Sequence, residues 1–207
     1  MAQQLGFSFD QTRCTGCKAC VLACKDKHDL PVGVRWRRVA EYAGGTWLAS
    51  ATDGTFTNDV YCYYTSYSCN HCDDPICVQV CPSTAMHKGD NGIVSVRADV
   101  CIGCRYCEMA CPYSAPQFDA DKGVMTKCDF CADRIAAGQK PACVAACPSR
   151  VLDFGEVADL RARLGAQASI EPLPPASVTR PNLVIVPHGR AQLSGQGTGR
   201  IGNPEEI

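Results

Sequence analysis

No stretch of this 207-residue chain stays apolar long enough to cross a bilayer. A span needs about 20 such residues, and the aliphatic run near the C-terminus, Leu183 to Val186, is far shorter. The opening residues, Met1 to Phe7, have no basic region, apolar core or cleavage site, so no export signal is expected there. The adjacent Arg37 and Arg38 lie well inside the chain and do not form a leader. Excess charge is lacking too: the formal net charge of −1 excludes a strongly basic nucleic-acid binder. The four histidines, His28, His71, His87 and His188, are scattered, with no carboxylates at a spacing that would build a substrate site. Gly195 to Gly199 lacks the spacing of a dinucleotide-binding fingerprint. These absences predict a chain that is soluble or peripheral on a partner, with no catalytic residues of its own.

Cysteine, by contrast, is abundant: seventeen residues, all but one in four groups. Cys101, Cys104, Cys107 and Cys111, followed by Pro112, show the C-x2-C-x2-C-x3-C-P run of bacterial-type ferredoxins, whose fourth cysteine serves a different cluster from the first three. Cys14, Cys17, Cys20 and Cys24 repeat the spacing without the proline. Cys69, Cys72, Cys77 and Cys81 stretch the second gap to four residues, and Cys128, Cys131, Cys143 and Cys147 stretch it to eleven; both end in Cys-Pro. Short loops with small residues such as Gly103 let three thiolates reach one small cube, and proline stops the turn that carries the fourth. Disulfide frameworks suit short secreted chains. Zinc favours separated C-x2-C pairs, which the second and fourth groups could supply but the first and third could not. Sixteen grouped cysteines are enough for four cubanes, leaving Cys62, which reads as a buried thiol in a strand. Lys18, Lys25, Lys27, Arg105 and Lys127 flank the ligands and read as solvated surface charges. Their functional alternative is to offset cluster charge.

Between the groups, the sequence predicts short elements. Residues 5–10 read as a strand, 21–27 as a helix, Arg35 to Tyr42 as a strand and Thr46 to Asn58 as a hairpin turning at Asp53-Gly54. Val60 to Tyr67 and Gly92 to Arg97 read as strands, residues 83–88 as a turn and Tyr113 to Gly123 as a loop. A helical turn starts at Asp133, with Gly138 as its cap, and Val157 to Leu164 reads as a helix. Past it, four prolines impose extended structure before a strand around Asn182 to Pro187. This cysteine-free tail has no core of its own, so it is expected either to be disordered or, preferably, to lie along a partner. The fold class is α+β: two bacterial-ferredoxin-like modules, one inserted in the other, with short strands, short helices and an extended C-terminal tail. Spacing alone leaves open which groups pair. The compact choice joins groups two and three as residues 59–112 and groups one and four as 1–58 with 113–155, leaving 156–207 as tail.

The chain resembles the four-cluster electron-transfer subunits of molybdopterin oxidoreductases, and within them the iron–sulfur subunit of the dimethyl sulfoxide reductase family. The resemblance rests on Cys14-Thr-Gly-Cys-Lys-Ala-Cys20, Glu41-Tyr-Ala-Gly-Gly45, Ser68-Cys-Asn-His-Cys72, Met86-His-Lys88, Cys101-Ile-Gly-Cys-Arg-Tyr-Cys107, Ala110-Cys-Pro-Tyr113, Thr126-Lys-Cys-Asp129 and Leu152-Asp-Phe-Gly155. It implies four [4Fe–4S] clusters. One would be held by Cys14, Cys17, Cys20 and Cys147, a second by Cys24, Cys128, Cys131 and Cys143, a third by Cys81, Cys101, Cys104 and Cys107, and a fourth by Cys69, Cys72, Cys77 and Cys111. It further implies single-electron relay in anaerobic respiration, from an integral membrane quinol-oxidising anchor subunit to a molybdopterin catalytic subunit. The protein would be membrane-associated only through those partners. The competing readings are a polyferredoxin subunit of another redox complex and a zinc-stabilised scaffold.

Overall fold

The computed structural model describes residues 4–207. Strand β1 (Leu5–Asp10) is the centre of a three-stranded sheet. It pairs antiparallel with β10 (Leu152–Glu156) and parallel with β11 (Leu183–Val186), so Phe7 lies beside Phe154 and Leu183, and Phe9 beside Leu152 and Ile185. Both faces of β1 are covered. A Cβ at Gly6 would come 2.4 Å from the Asn182 carbonyl oxygen, which explains the glycine.

The second sheet has β2 (Arg38–Gly44) between β5 (Tyr61–Tyr67) and β12 (Arg200–Ile201). Tyr42 and Tyr63 are in register, their ring centres 5.4 Å apart. The expected strand from Arg35 starts three residues late. The Arg35 amide donates to the Gln117 side chain at 2.6 Å and the Trp36 indole to Thr126 at 3.2 Å, which holds that segment against a different hairpin. The residues around Asp53-Gly54 turn between β3 (Trp47–Ala49) and β4 (Phe56–Asn58), as the sequence predicts.

Two further hairpins are only partly visible in the sequence. β6 (Met86–Lys88), where the sequence predicts a turn across residues 83–88, pairs with β7 (Val94–Val96), which falls inside the strand expected at Gly92 to Arg97. β8 (Gln117–Asp119) pairs with β9 (Val124–Thr126), within and just beyond a segment that reads as loop. Strands of three residues carry little alternation, which is why β6, β8 and β9 escape the sequence. Met125 and Phe118 of this hairpin pack with Cys77, Met86, Val94 and Cys107. Residues 117–126 therefore pack beside groups two and three, although the sequence boundary at 113 assigns them to the other module.

The helices are short. Lys18 and Arg105, both in the left-handed region, lead into α1 (Ala19–Lys27) and, among residues 106–110, a helix of one turn and a half. A second one-turn helix spans 76–79, and two more span 132–136 and 142–145. Helices this short are not stable alone. α1 packs on the helix at 142–145, which joins groups one and four, and the helix at 76–79 packs on that at 106–110, which joins groups two and three. Cys111 is extended (ψ 116°), because a residue before proline avoids the helical region. Lacking a proline after Cys24, α1 runs on to Lys27. The last helix spans Val157–Leu164, as expected.

The tail departs from expectation. Leu183, Val184 and Ile185 are buried in the first sheet, and Ile170 and Leu173 join the same core. Asn203 accepts from the Glu41 amide at 2.8 Å and donates to the Val39 carbonyl at 2.9 Å, tying the C-terminal end to β2. The apolar run finds its burial within the same molecule, so that argument for a partner lapses. Cys62 also departs: it is exposed, because Tyr61 and Tyr63 take the inward positions of β5 and alternation turns residue 62 outward. Ile185→Ala should cost about 2–5 kcal/mol and lower the thermal midpoint of the isolated, iron-loaded protein. An unchanged midpoint would mean that the tail contributes nothing to the fold.

Candidate metal centres

All seventeen cysteines are free thiols, and the fold gathers sixteen of them into four clusters. At site I, Cys14, Cys17, Cys20 and Cys147 line one cavity with Phe9, Val39 and Leu152. At site II, the sulfur of Cys24 lies within electrostatic reach of those of Cys143, Cys131 and Cys128. At site III, Cys69, Cys72, Cys77 and Cys111 line a cavity with Val94, Tyr113, Lys127 and Thr179. At site IV, Cys81, Cys101, Cys104 and Cys107 line one with Met86, Val96 and Met125. The three cavities are lined by similar groups, which fits one kind of occupant.

Local backbone explains the loops. Gly16 and Gly103 occupy matching places in Cys-x-Gly-Cys turns, and both have φ +67°. A side chain there is strained, and a Cβ on Gly103 would also meet the Gly123 carbonyl oxygen at 2.6 Å. In site IV the amides of Met86 and Met125 donate to Cys81 Sγ and Cys101 Sγ, each at 3.4 Å. The β6–β7 and β8–β9 hairpins thus supply N–H···S hydrogen bonds, which tune cluster potentials.

The sites form a row. Cys20 of site I faces Cys143 of site II, and Cys128 of site II faces Cys69 of site III. Cys77 of site III and Cys107 of site IV share one apolar cluster. Among the sixteen, the exposed cysteines are Cys17 in site I and Cys104 in site IV, at the two ends.

Donor chemistry fits iron–sulfur clusters. Burial pushes the thiols of Cys24, Cys72 and Cys77 up to about 12 and those of Cys14 and Cys107 to about 11. Neutral thiols are what these cavities favour when no cation is bound. Four soft sulfur donors around an apolar space become thiolates only against a bound, thiophilic cation.

Several neighbours escape the sequence reading. Lys127, expected at the surface, is 2 % exposed, and its Nζ donates to the Val94 and Cys128 carbonyls. The other four flanking cations are satisfied elsewhere: Lys18 by Glu206, Lys27 by Asp133, Arg105 by Glu108, and Lys25 by the Leu30 and Pro31 carbonyls. Arg37 is also 2 % exposed and donates to Ser66 Oγ at 3.1 Å and Ser68 Oγ at 3.0 Å. Its only sequence signal is an arginine pair leading into an apolar strand. His71 is buried and held neutral, first by burial and then by nearby Lys127; its Nδ1 accepts from the Val94 amide at 3.0 Å. His28 does meet a carboxylate in space, Asp129 at 3.6 Å, and its Nε2 lies 3.5 Å from Cys131 Sγ. Those three residues offer ligand atoms within 4.8 Å of one another, but Cys131 already belongs to site II.

Comparison with known proteins gives the geometry a context. A family profile described as a 4Fe-4S dicluster domain matches residues 60–157, and one described as a 4Fe-4S binding domain matches residues 11–33. The sequence is 57% identical to the B component of anaerobic dimethyl sulfoxide reductase from Haemophilus influenzae, over 99% of this chain and 100% of that one. It is 54% identical to the component of the same name from Escherichia coli, over the full length of both. It is 37% identical to the B component of polysulfide reductase from Wolinella succinogenes, over 93% of this chain and 99% of that one.

Cys62 is the thiol left free for reagents. Burial and the nearby Glu41 carboxylate raise its pKa, so its reactive thiolate gains as pH rises towards that value. In the iron-loaded protein, one thiol per molecule should react with a maleimide, about tenfold faster per pH unit below that pKa. Cys62→Ser should abolish the reaction and leave the iron content unchanged. Iron loss on that substitution would make Cys62 a ligand.

Proposed function

The protein belongs to the family of the B components of anaerobic dimethyl sulfoxide reductases, and from that membership we propose a ligand set for each cluster and a direction for the electrons. It is an iron–sulfur electron-transfer subunit of a reductase complex, and its cofactors are four [4Fe–4S] clusters. When bound, the clusters supply one-electron chemistry. The protein's own residues hold them in line, keep water away and set their charge environment.

In this reading Cys14, Cys17, Cys20 and Cys147 hold site I, and Cys24, Cys128, Cys131 and Cys143 hold site II. Cys69, Cys72, Cys77 and Cys111 hold site III, and Cys81, Cys101, Cys104 and Cys107 hold site IV. The shared cavities and facing sulfurs support those sets. All four cysteines are present at each site, so each takes a four-iron cluster. Sites I and II make one module, and sites III and IV, with the hairpin at 117–126, make the other.

The observation that carries the route is the row itself, with exposed sulfur at its two ends. The ends differ in character. Around Cys104, beside the Arg105–Glu108 ion pair, three large apolar side chains are exposed: Ile102 at 66 %, Tyr106 at 54 % and Met109 at 73 %. Such a patch suits an integral membrane partner that oxidises quinol. Around Cys17 lie Lys18, paired with Glu206, and Arg13, paired with Asp10. That polar end suits a soluble catalytic partner carrying a molybdopterin cofactor. Electrons would then enter at site IV, pass through III and II, and leave from site I. No helix among the described residues is long and apolar enough to cross a membrane, so attachment would come through the anchor.

A polyferredoxin of another complex is less well supported, since the relatives align end to end with reductase components. Anaerobic purification should yield about sixteen iron and sixteen sulfide per molecule. Zinc without sulfide would leave the scaffold reading standing instead. Cys104→Ser in the complex should cut quinol-driven reduction at least tenfold, while turnover from a dye feeding the catalytic subunit persists. Undiminished quinol turnover would sink the proposed route.

A further inference from the structure

Among the described residues, three buried cations near the sites lack a carboxylate partner: Arg38 is held at the edge of site III by the Tyr113 and Ser114 carbonyls, and Arg37 and Lys127 each adjoin two sites. Arg37 and Lys127 take part in none of the ion pairs among the described residues. Each is 2 % exposed. Burying an unpaired guanidinium or ammonium is costly, so such groups are nearly always matched by opposite charge. Here the acceptors are neutral: two serine hydroxyls for Arg37, two backbone carbonyls for Lys127. The Phe7 ring, 4.7 Å from the guanidinium carbon, adds a weaker attraction.

What lies close to each cation is sulfur. The nearby sulfurs acting on Arg37 are those of Cys143, Cys20, Cys128 and Cys24. One belongs to site I and three to site II. The cation thus stands between these two sites. Ser66 extends its reach: having accepted from Arg37, its hydroxyl has one hydrogen left, and Cys20 Sγ lies 3.4 Å away. Lys127 has the corresponding place one step along. It lines the cavity of site III, acts on Cys77 there, and acts on Cys128 of site II.

We propose that Arg37 and Lys127 are built-in countercharges of the relay, Arg37 biasing sites I and II and Lys127 biasing sites II and III towards the reduced state. Each added electron makes a site more negative, and a fixed cation nearby stabilises that state. Site II, flanked by both, receives two such contributions, and site IV receives neither. These are positioning residues: they ligate nothing and exchange no electron. Their charge sets how readily each site is filled.

The proposal rests on the ligand sets given above, and the test separates the two. The full-length protein, purified anaerobically with its accompanying subunits, is titrated over potential and followed by electron paramagnetic resonance. Four one-electron waves in the unsubstituted protein uphold the ligand sets; fewer would overturn those sets and the countercharge proposal with them. With four waves present, Arg37→Gln should move two of them to lower potential, each by at least tenfold in the reduced-to-oxidised ratio, about 59 mV. Lys127→Gln should move two waves as well, one of them shared with Arg37→Gln. Arg37→Lys should restore the unsubstituted potentials. Unmoved waves at full iron and sulfide content would overturn the proposal, as would identical pairs in the two variants. If Arg37→Gln loads no iron, Arg37→Lys and Lys127→Gln decide: a tenfold shift in the first, or none in the second, refutes it.

Discussion

Sixteen sulfurs can be packed inside so small a protein only if positive charge meets them there. In apolar cavities a lone thiolate is costly, and burial raises a thiol at each of the four sites, Cys14, Cys24, Cys72 and Cys107. Iron relieves that cost by converting the thiols into ligands, so binding and folding are one event. Arg37 and Lys127 belong to the same balance: a buried cation without a carboxylate makes sense beside anionic clusters and little sense elsewhere.

The secondary structure follows from this. Helices of four or five residues and hairpins of three-residue strands could not hold their own shape. Each of these helices carries one cysteine and is followed by another that lines the neighbouring site, Cys77 and Cys81, Cys107 and Cys111, Cys143 and Cys147, so metal binding would hold it at two points. A conventional core exists; it centres on the two three-stranded sheets, where Phe7, Phe9, Tyr42 and Tyr63 pack with Leu183 and Ile185, and a smaller apolar cluster of Met86, Val94 and Met125 lies at the short hairpins. The C-terminal tail completes that core and also covers a site. The amides of Asp73 and Asp74 donate to the Arg180 and Thr179 carbonyls, and Thr179 lines the cavity of site III.

Function then depends on order in space. The four sites adjoin one another in the order I, II, III, IV, with an exposed cysteine at I and at IV. Such a relay needs no substrate pocket of its own. At site IV the amides of Met86 and Met125 donate to the sulfurs of Cys81 and Cys101. The amide of Met86 and the Ser83 hydroxyl outweigh burial and hold the Cys81 thiol below its ordinary value.

The cysteine spacing by itself pointed to the cofactor class and the number of clusters, because ligand geometry is local and three sulfurs at short gaps can reach one cube; it left open which group supplies the fourth sulfur. It also placed the turn at Asp53-Gly54 and the helix from Val157 to Leu164, where short-range preference and packing agree. Tertiary structure decided what depended on distant partners. The tail's apolar run was legible as needing burial, but its partner, β1, lies more than 170 residues earlier in the sequence. Cys62 faces out because Tyr61 and Tyr63 claim the inward face of β5. Lys127 reads as a surface charge in the sequence, and nothing there marks Arg37 as buried, since burial of a cation depends on what surrounds it in three dimensions. What surrounds these two is sulfur drawn from Cys20, Cys24, Cys77, Cys128 and Cys143, brought together only by the fold.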